Sequence, residues 1–375
     1  MRSSFHGRSA ALFLVISFVT SMSANAGLLP ERVKETARER ITGTYQTLAF
    51  GQTIIFGVVD GDRSEIVAFG KLDDGRTPDG DTVYEIGSIT KTFTATLLAQ
   101  EVLSGQVTLE TPVAQLLRGF EIPARSGKEI TLDELATQRS GLPRIPPDLH
   151  PCTDYDPAKL RSFLATYELP RDPDAAYEYS NLGFGLLGYA LSRREATRFG
   201  ALVYERIFKP LNMTMSATEF TEAMRAHVAS GRDERGMPAQ NCELGALAGS
   251  GSIRSTVNDM LRYLKANMGI DPSPLADAMK LAQRPRNDIP KTAMRIGLAW
   301  MTTSKGLVWH GGATLGYRSF LGFTADGRRG VVVLTNSTAE VDDLGFATLD
   351  TAAWLAPTYN ATMSPRASIM LQPVH

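Results

Sequence analysis

The side chains of this 375-residue sequence that could carry out covalent chemistry together are a serine and a lysine three positions apart, in Tyr84-Glu85-Ile86-Gly87-Ser88-Ile89-Thr90-Lys91. The run lies where a strand or loop gives way to a helical pattern. Positions i and i+3 share a helix face, so Lys91 is expected to stand beside Ser88. A serine hydroxyl is a weak nucleophile until a base removes its proton. A lysine amine becomes such a base when burial or a neighbouring positive charge disfavours its ammonium form. The N-terminal end of a helix also favours negative charge developing on Ser88. The spacing alone is unspecific, since about one S-x-x-K is expected by chance in a chain of this size. A surface Ser/Lys pair is the ordinary alternative.

Two further runs could complete a site. Tyr179-Ser180-Asn181 follows a Pro/Asp-rich approach and precedes an amphipathic stretch. A phenol can share or relay a proton, and an amide can hold a substrate carbonyl. His310-Gly311-Gly312 ends a short predicted strand, where two glycines let a substrate backbone approach the strand edge. Taken singly, a tyrosine packed under a helix and a glycine turn are the more ordinary readings. Other chemistries find no foothold. The five histidines are His6, His150, His227, His310 and His375, with no H-E-x-x-H, and Cys152 and Cys242 lack metal-ligand spacing. There is no G-x-G-x-x-G, no P-loop and no G-x-S-x-G. No metal and no cofactor are therefore expected. Lys+Arg 39 against Asp+Glu 40 leaves no basic excess for nucleic acid.

The elements that must position these residues read as strands at both ends and helices between. Pro30 to Ile41 has a helical pattern. Thr53–Val59 and Glu65–Gly70 read as strands joined at Asp60-Gly61-Asp62, Lys71–Asp81 as loop, and Thr90 to Leu103 as helix stopped by Gly105. The middle is mostly helical with long loops: Thr131–Leu135, Leu182–Arg193 and Gly200–Phe208 look helical, and Pro143 to Pro157 cannot be regular. Ser255–Asn267 reads as a helix with Ser255 as N-cap. Met294–Met301, Leu307–His310, Tyr317–Phe323 and Gly330–Leu334 read as strands, with a hairpin turn at Asp326-Gly327, and Asp342–Leu355 as a closing helix. Hairpin-joined strands imply a mixed α/β (α+β) fold, with a mainly antiparallel sheet flanked by helices and an inserted all-helical domain. Residues 27–108 and 250–358 would form the α/β domain, 109–249 the helical one and 359–375 a C-terminal tail, with a site in the cleft between domains.

Residues 1–26 read as a signal peptide: Arg2 and Arg8, an apolar run from Ala10 to Val19, and Ala24-Asn25-Ala26 before Gly27. The apolar run is about half the roughly 20 residues a membrane span needs. The mature chain is expected in the periplasm or outside the cell, with no stable membrane anchor, as a monomer. Cys152 and Cys242 could pair in that oxidising compartment or stay as two buried thiols.

In this order, S-x-x-K, Y-x-N and H-x-G resemble the class C β-lactamases, the related penicillin-binding DD-peptidases and D-aminopeptidases, and some esterases. Ser140-Gly141-Leu142-Pro143, Pro210-Leu211-Asn212-Met213 and Ser250–Thr256 with Asp259-Met260 also look like landmarks of that family. The resemblance spans about residues 50 to 340. It implies a β-lactamase/transpeptidase-like fold and a nucleophilic Ser88, with Lys91 and Tyr179 sharing proton transfer. It also implies Asn181 holding a substrate amide, and an oxyanion hole from the N–H groups of Ser88 and Ala313. His310, Gly311 and Gly312 would form the strand edge that meets the substrate. The substrate would be a small molecule or peptide, either a β-lactam or a D-amino-acid peptide. The family's lactamases usually carry Lys-Thr-Gly at the third motif. His310 and Gly311 remove a fixed charge and a hydroxyl that hold a substrate carboxylate there; Arg318 could supply the charge, or could be a solvated strand-edge arginine. His310 is expected to titrate near neutrality. An esterase on the same scaffold, or a penicillin-binding sensor without turnover, are the competing readings.

Overall fold

The computed structural model describes residues 27–42, 51–150 and 152–350. The segment read as a signal peptide and the C-terminal tail lie outside these residues. Helix α1 (Glu31–Thr42) leads into a hairpin, β1 (Thr53–Asp60) and β2 (Arg63–Gly70). Next comes β3 (Val83–Glu85), a 3-10 turn (Gly87–Ile89) and helix α2 (Thr90–Leu103). The middle holds α3 (Leu132–Ala136), α4 (Pro157–Thr166), α5 (Asn181–Arg194), α6 (Phe199–Val203) and α7 (Glu222–Arg225). A 3-10 segment (Gly245–Ser250), β4 (Arg254–Thr256), α8 (Val257–Met268) and α9 (Ala276–Gln283) follow. The chain then returns to strands, β5 (Asn287–Ile289), β6 (Met294–Ile296), β7 (Met301–Thr303), β8 (Val308–Ala313), β9 (Arg318–Phe323) and β10 (Arg329–Thr335), before α10 (Asp342–Leu349).

Among the described residues, eight strands form one sheet in the order β2-β1-β10-β9-β8-β7-β6-β5, every pair antiparallel. β3 and β4 form a separate antiparallel pair. Alternate residues of a strand face opposite sides, and the central strands are apolar on both. Ile55, Val59, Leu321, Val332 and Leu334 join a core with α2, α8 and α9. Ile54, Phe56, Val58, Phe320, Val331 and Val333 join a second with α1 and α10. The first core runs on without a break through Phe93 of α2 to Phe184 and Leu187 of α5. No helix among the described residues is long and apolar enough to cross a membrane.

The structure departs from the sequence-based expectations at several places, each with a local cause. The N-cap of α8 is Thr256, whose hydroxyl accepts from the Asp259 N–H at 3.2 Å; Ser255 sits in β4 and bonds Ser216 at 2.8 Å. The single strand read over Met294–Met301 is a hairpin, β6 and β7. Leu298 and Trp300 turn into the core between them, and Ala299 takes a left-handed φ of 66°. Tyr204–Phe208, read as the end of a helix begun at Gly200, is a π-helical turn after α6. β8 runs through the glycines rather than ending at His310. α10 is described as far as Leu349.

Cys152 and Cys242 are joined in a disulfide that closes a 90-residue separation. It ties the loop before α4 to the approach of the 245–250 turn. Loop-closure entropy for a span of this size contributes nominally about 4–5 kcal/mol. Replacing both cysteines by serine should therefore lower the unfolding free energy by several kcal/mol in urea titration. A loss below about 1 kcal/mol would show that the bridge does not constrain the unfolded chain.

Candidate active site

Ser88 is placed by the seam between the small ladder and the main sheet. β3 pairs with β4, the Ile86 N–H donates to Ile253 O at 3.0 Å, and the Thr90 hydroxyl accepts from the Ile253 N–H at 3.1 Å. The chain then reverses through Gly87, at φ +50°, into the 3-10 turn that carries Ser88 into α2. Only glycine adopts this conformation readily. A Cβ at Gly87 would also stand 2.7 Å from Ala313 N, so the missing side chain lets β8 lie against the serine turn. Gly312 does the same from the other side: a Cβ there would stand 2.1 Å from Ile86 O. The Ser319 hydroxyl donates to that carbonyl at 2.8 Å and completes the seam.

Lys91 lies one turn beyond Ser88, and neither is exposed by more than 2%. Its Nζ is 3.1 Å from Ser88 Oγ, 2.8 Å from Asn181 Oδ1 and 2.7 Å from Ser250 O. Burial, helped by the Arg144 guanidinium, holds the amine well below the ordinary lysine value. Asn181 is delivered by the start of α5. Ser180 caps that helix by accepting from the Gly183 N–H at 2.8 Å, and the Asn181 N–H donates to Arg144 O at 2.9 Å. Tyr179, just before the cap, lies with its ring 4.9 Å from Lys91 Nζ and 5.1 Å from Arg144 Cζ. Burial pushes its phenol up to about 12, against the pull of the Ser88 hydroxyl and Arg144.

One cavity of about 220 Å³ brings Ser88 and Tyr179 together with His310, Gly311, Gly312 and Ala313 of β8. Lys91 and Asn181 stand behind Ser88, as the distances above show, and do not line the cavity. Its other wall is apolar, built from Ile289, Met294, Met301, Trp309 and Val341. His310 does not titrate near neutrality as the sequence reading expected: burial, then the Lys91 charge, lowers it to about 3. Nδ1 lies 2.6 Å from Gly311 O and donates to it, so the neutral ring carries its proton there. Arg318 is no solvated arginine. It lines the cavity, but its guanidinium donates to Thr314 O at 2.9 Å and Tyr317 O at 3.0 Å, and its Nε lies 3.4 Å from Glu340 Oε1.

Three contributors escaped the sequence reading. The Ser250 carbonyl could not be read from a side-chain pattern, although Ser250 opens a recognised run. Arg144 directly follows Ser140-Gly141-Leu142-Pro143, and that adjacency was the available signal. Asp342 was visible only as the head of the closing helix. Its Oδ1 lies 3.0 Å from where a Cβ on Gly311 would stand, and burial, then the Glu340 and Asp343 charges, push its carboxyl up to about 7.

Two expected outcomes follow from this geometry. Gly87→Ala should lower the melting temperature, since a left-handed non-glycine residue costs roughly 1–2 kcal/mol. It should also slow labelling of Ser88 by a fluorophosphonate about tenfold or more, because β8 must move; labelling at the parent rate would sink the close-approach argument. Asp342 keeps its proton in the folded state up to about pH 7, whereas an unfolded aspartate loses it near pH 4. This group's contribution to stability is therefore lost as pH rises between those values. Asp342→Asn should match the parent below pH 4 and exceed it above pH 7 in thermal melts. A gain that is the same at both ends would refute the assignment.

Comparisons with known proteins agree with the geometry. The family model described as Beta-lactamase matches residues 44–353. The chain is 31% identical over 277 residues to the D-alanyl-D-alanine-carboxypeptidase/endopeptidase AmpH of Escherichia coli (strain K12), covering 68% of this chain and 70% of that one. It is 29% identical over 203 residues to a beta-lactamase of Yersinia enterocolitica, covering 54% and 50% of the two. Among solved structures, D-alanine carboxypeptidase AmpC from Burkholderia cenocepacia superposes with a TM-score of 0.73 at 22% identity, over 86% of this chain and 99% of that one. A class C beta-lactamase superposes at 0.74 with 19% identity, over 86% and 96%. These last two likenesses establish the fold, a mixed α/β architecture with an antiparallel sheet flanked by helices. The chain belongs to the beta-lactamase family, as a serine hydrolase whose fold is that of the class C beta-lactamases.

Proposed function

We propose that this chain cleaves an amide, in a D-alanyl cell-wall peptide or a β-lactam ring, through an acyl-enzyme on Ser88. The observation that carries the reading is the 3.1 Å approach of a buried, proton-poor Lys91 amine to the Ser88 hydroxyl. A neutral amine has two N–H groups and one lone pair. Asn181 Oδ1 and Ser250 O, the two nearer acceptors, take the N–H groups, and the lone pair is left for the Ser88 proton. Once Lys91 holds that proton, Ser88 Oγ bonds to the substrate carbonyl carbon. The N–H groups of Ser88 and Ala313 receive the negative charge on its oxygen. The C–N bond then breaks, and the departing nitrogen takes a proton through Tyr179, which is protonated at neutral pH. Water hydrolyses the resulting ester. Asn181 also holds the substrate amide, and Gly311 and Gly312 give its backbone room along β8.

The relative AmpH, matched over more than two thirds of both chains, is a carboxypeptidase/endopeptidase, which favours a peptide over a lactam as the physiological substrate. The apolar wall of the cavity and the bare Gly311 favour a second reading, an esterase on the same scaffold. Residues 1–26 are proposed to direct export, and a disulfide between Cys152 and Cys242 suits an oxidising compartment.

Intact-protein mass after benzylpenicillin, set beside nitrocefin turnover and short p-nitrophenyl ester hydrolysis, tests these readings. A long-lived adduct on Ser88 is the result expected of a peptidase, and rapid nitrocefin turnover that of a lactamase. Ester cleavage with no penicillin adduct would leave the esterase. Ser88→Ala should abolish all three; an unchanged rate in that variant would discard the site.

A further inference from the structure

The cavity is lined by two arginines, and they differ in what they meet. Arg318 has Thr314 O, Tyr317 O and the Glu340 carboxylate around it. Arg144 has none of these. Among the described residues no carbonyl or carboxylate accepts from its guanidinium, and no acid forms an ion pair with it. Besides burial, the groups that act on its charge are the Tyr179 and Tyr177 phenols, which burial keeps protonated. The group is half-buried, with its Cζ 5.1 Å from the Tyr179 ring centre. The ring contact meets its charge but offers no acceptor oxygen. Its backbone is held in place, because its carbonyl accepts from the N–H groups of Asn181 and Leu182 at the head of α5. The half-buried guanidinium thus stands on the wall of the reaction cavity with no anion beside it among the described residues, and its N–H donors are open to whatever enters.

The opposite wall sharpens the point. His310, where the family's lactamases usually carry lysine, is uncharged, and Arg318 is occupied. A substrate carboxylate entering this cavity thus finds its unpaired cation beside Tyr179, not on β8. We infer that Arg144 is a specificity-determining residue that binds an anionic group of the substrate, a carboxylate, through its free N–H donors. The inference rests on the acyl-enzyme reading of Ser88 proposed above, and it names the side of the cavity from which the acid is read.

The test compares an acid with its neutral ester on the same protein. Acylation of Ser88 by benzylpenicillin and by benzylpenicillin methyl ester is followed by intact mass, in the parent and in Arg144→Gln and Arg144→Lys. A charge-assisted hydrogen bond corresponds to roughly ten- to a hundredfold in rate. The parent should prefer the acid by about that factor, Arg144→Gln should bring the ratio near one, and Arg144→Lys should keep part of it. A parent without preference, or an Arg144→Gln variant that slows both compounds equally, would overturn the inference and leave Arg144 as a support for Tyr179. Melting curves of the three proteins separate a folding defect from a binding one. If no penicillin acylates Ser88, the amide reading fails separately. The same ratio is then measured with p-nitrophenyl hemisuccinate against p-nitrophenyl butyrate, with the same two outcomes.

Discussion

The structure turns on a primary amine held where water does not reach it. Moving an ammonium from water into a protein interior is disfavoured by several kcal/mol unless it is paired, and the group responds by releasing its proton. Among the described residues no carboxylate stands beside Lys91. What surrounds it are neutral acceptors, the Asn181 amide and the Ser250 carbonyl, the Ser88 hydroxyl, and the rings of Tyr179 and Phe184. This shell supports the amine in either form without selecting the charged one. A carboxylate in place of Asn181 would hold the proton on Lys91 and, in the mechanism proposed above, deprive Ser88 of its base. The three segments that supply the shell are far apart in sequence: α2, the head of α5 and the 245–250 turn. The continuous apolar core that joins α2 to α5 is what keeps them together.

The second constraint is closeness of backbone to backbone. An oxyanion is best held by N–H donors already aimed at it, and the two proposed donors, Ser88 and Ala313, come from segments that side chains would otherwise hold apart. Gly87 and Gly312 remove the obstacle from both sides, and Ser319 fastens β9 to Ile86. Ala313 therefore reaches the serine turn through the pairing of β8 with β9, and the large antiparallel sheet acts as a rigid arm on which one backbone N–H is mounted.

How much of this was legible in the sequence depended on how local the signal was. The i, i+3 spacing of Ser88 and Lys91 is a property of one helix, and α2 has the bounds its pattern predicts. The turn at Asp326-Gly327 likewise announces a hairpin between adjacent strands. Where two neighbouring residues could play one role, local chemistry did not choose. Ser255 and Thr256 are both able caps, and the pairing of β4 with β3, a contact between segments some 170 positions apart, decided for Thr256. The alternation from Met294 to Met301 looks continuous because the turn residues are themselves buried. The protonation of His310 was misread for the same reason: an imidazole's ordinary value is a surface value, and this one is buried near an amine 219 positions away. Asp342 carried no motif and Arg144 only its place after Ser140–Pro143, and their part in the site appeared when the fold put them in the cavity with Ser88.

Charge in the cavity follows from these placements rather than from composition. A chain with almost balanced acids and bases has built a site whose β8 edge is neutral at His310 and bare at Gly311. Arg318 is held by Glu340, and the Asp342 carboxyl is reluctant to ionise. Had a lysine stood at position 310, its charge would lie near Lys91 and press that amine toward its neutral form, doing from β8 what Arg144 now does from the loop before α5. The two positions are thus alternatives for one electrostatic task, lowering the proton affinity of Lys91. Whichever carries the cation also determines from which wall an anion can approach Ser88. On the inference drawn above, a neutral His310 on β8 and an arginine after Ser140–Pro143 put acid recognition on the Tyr179 side of the cavity, beside the same serine, amine and strand edge.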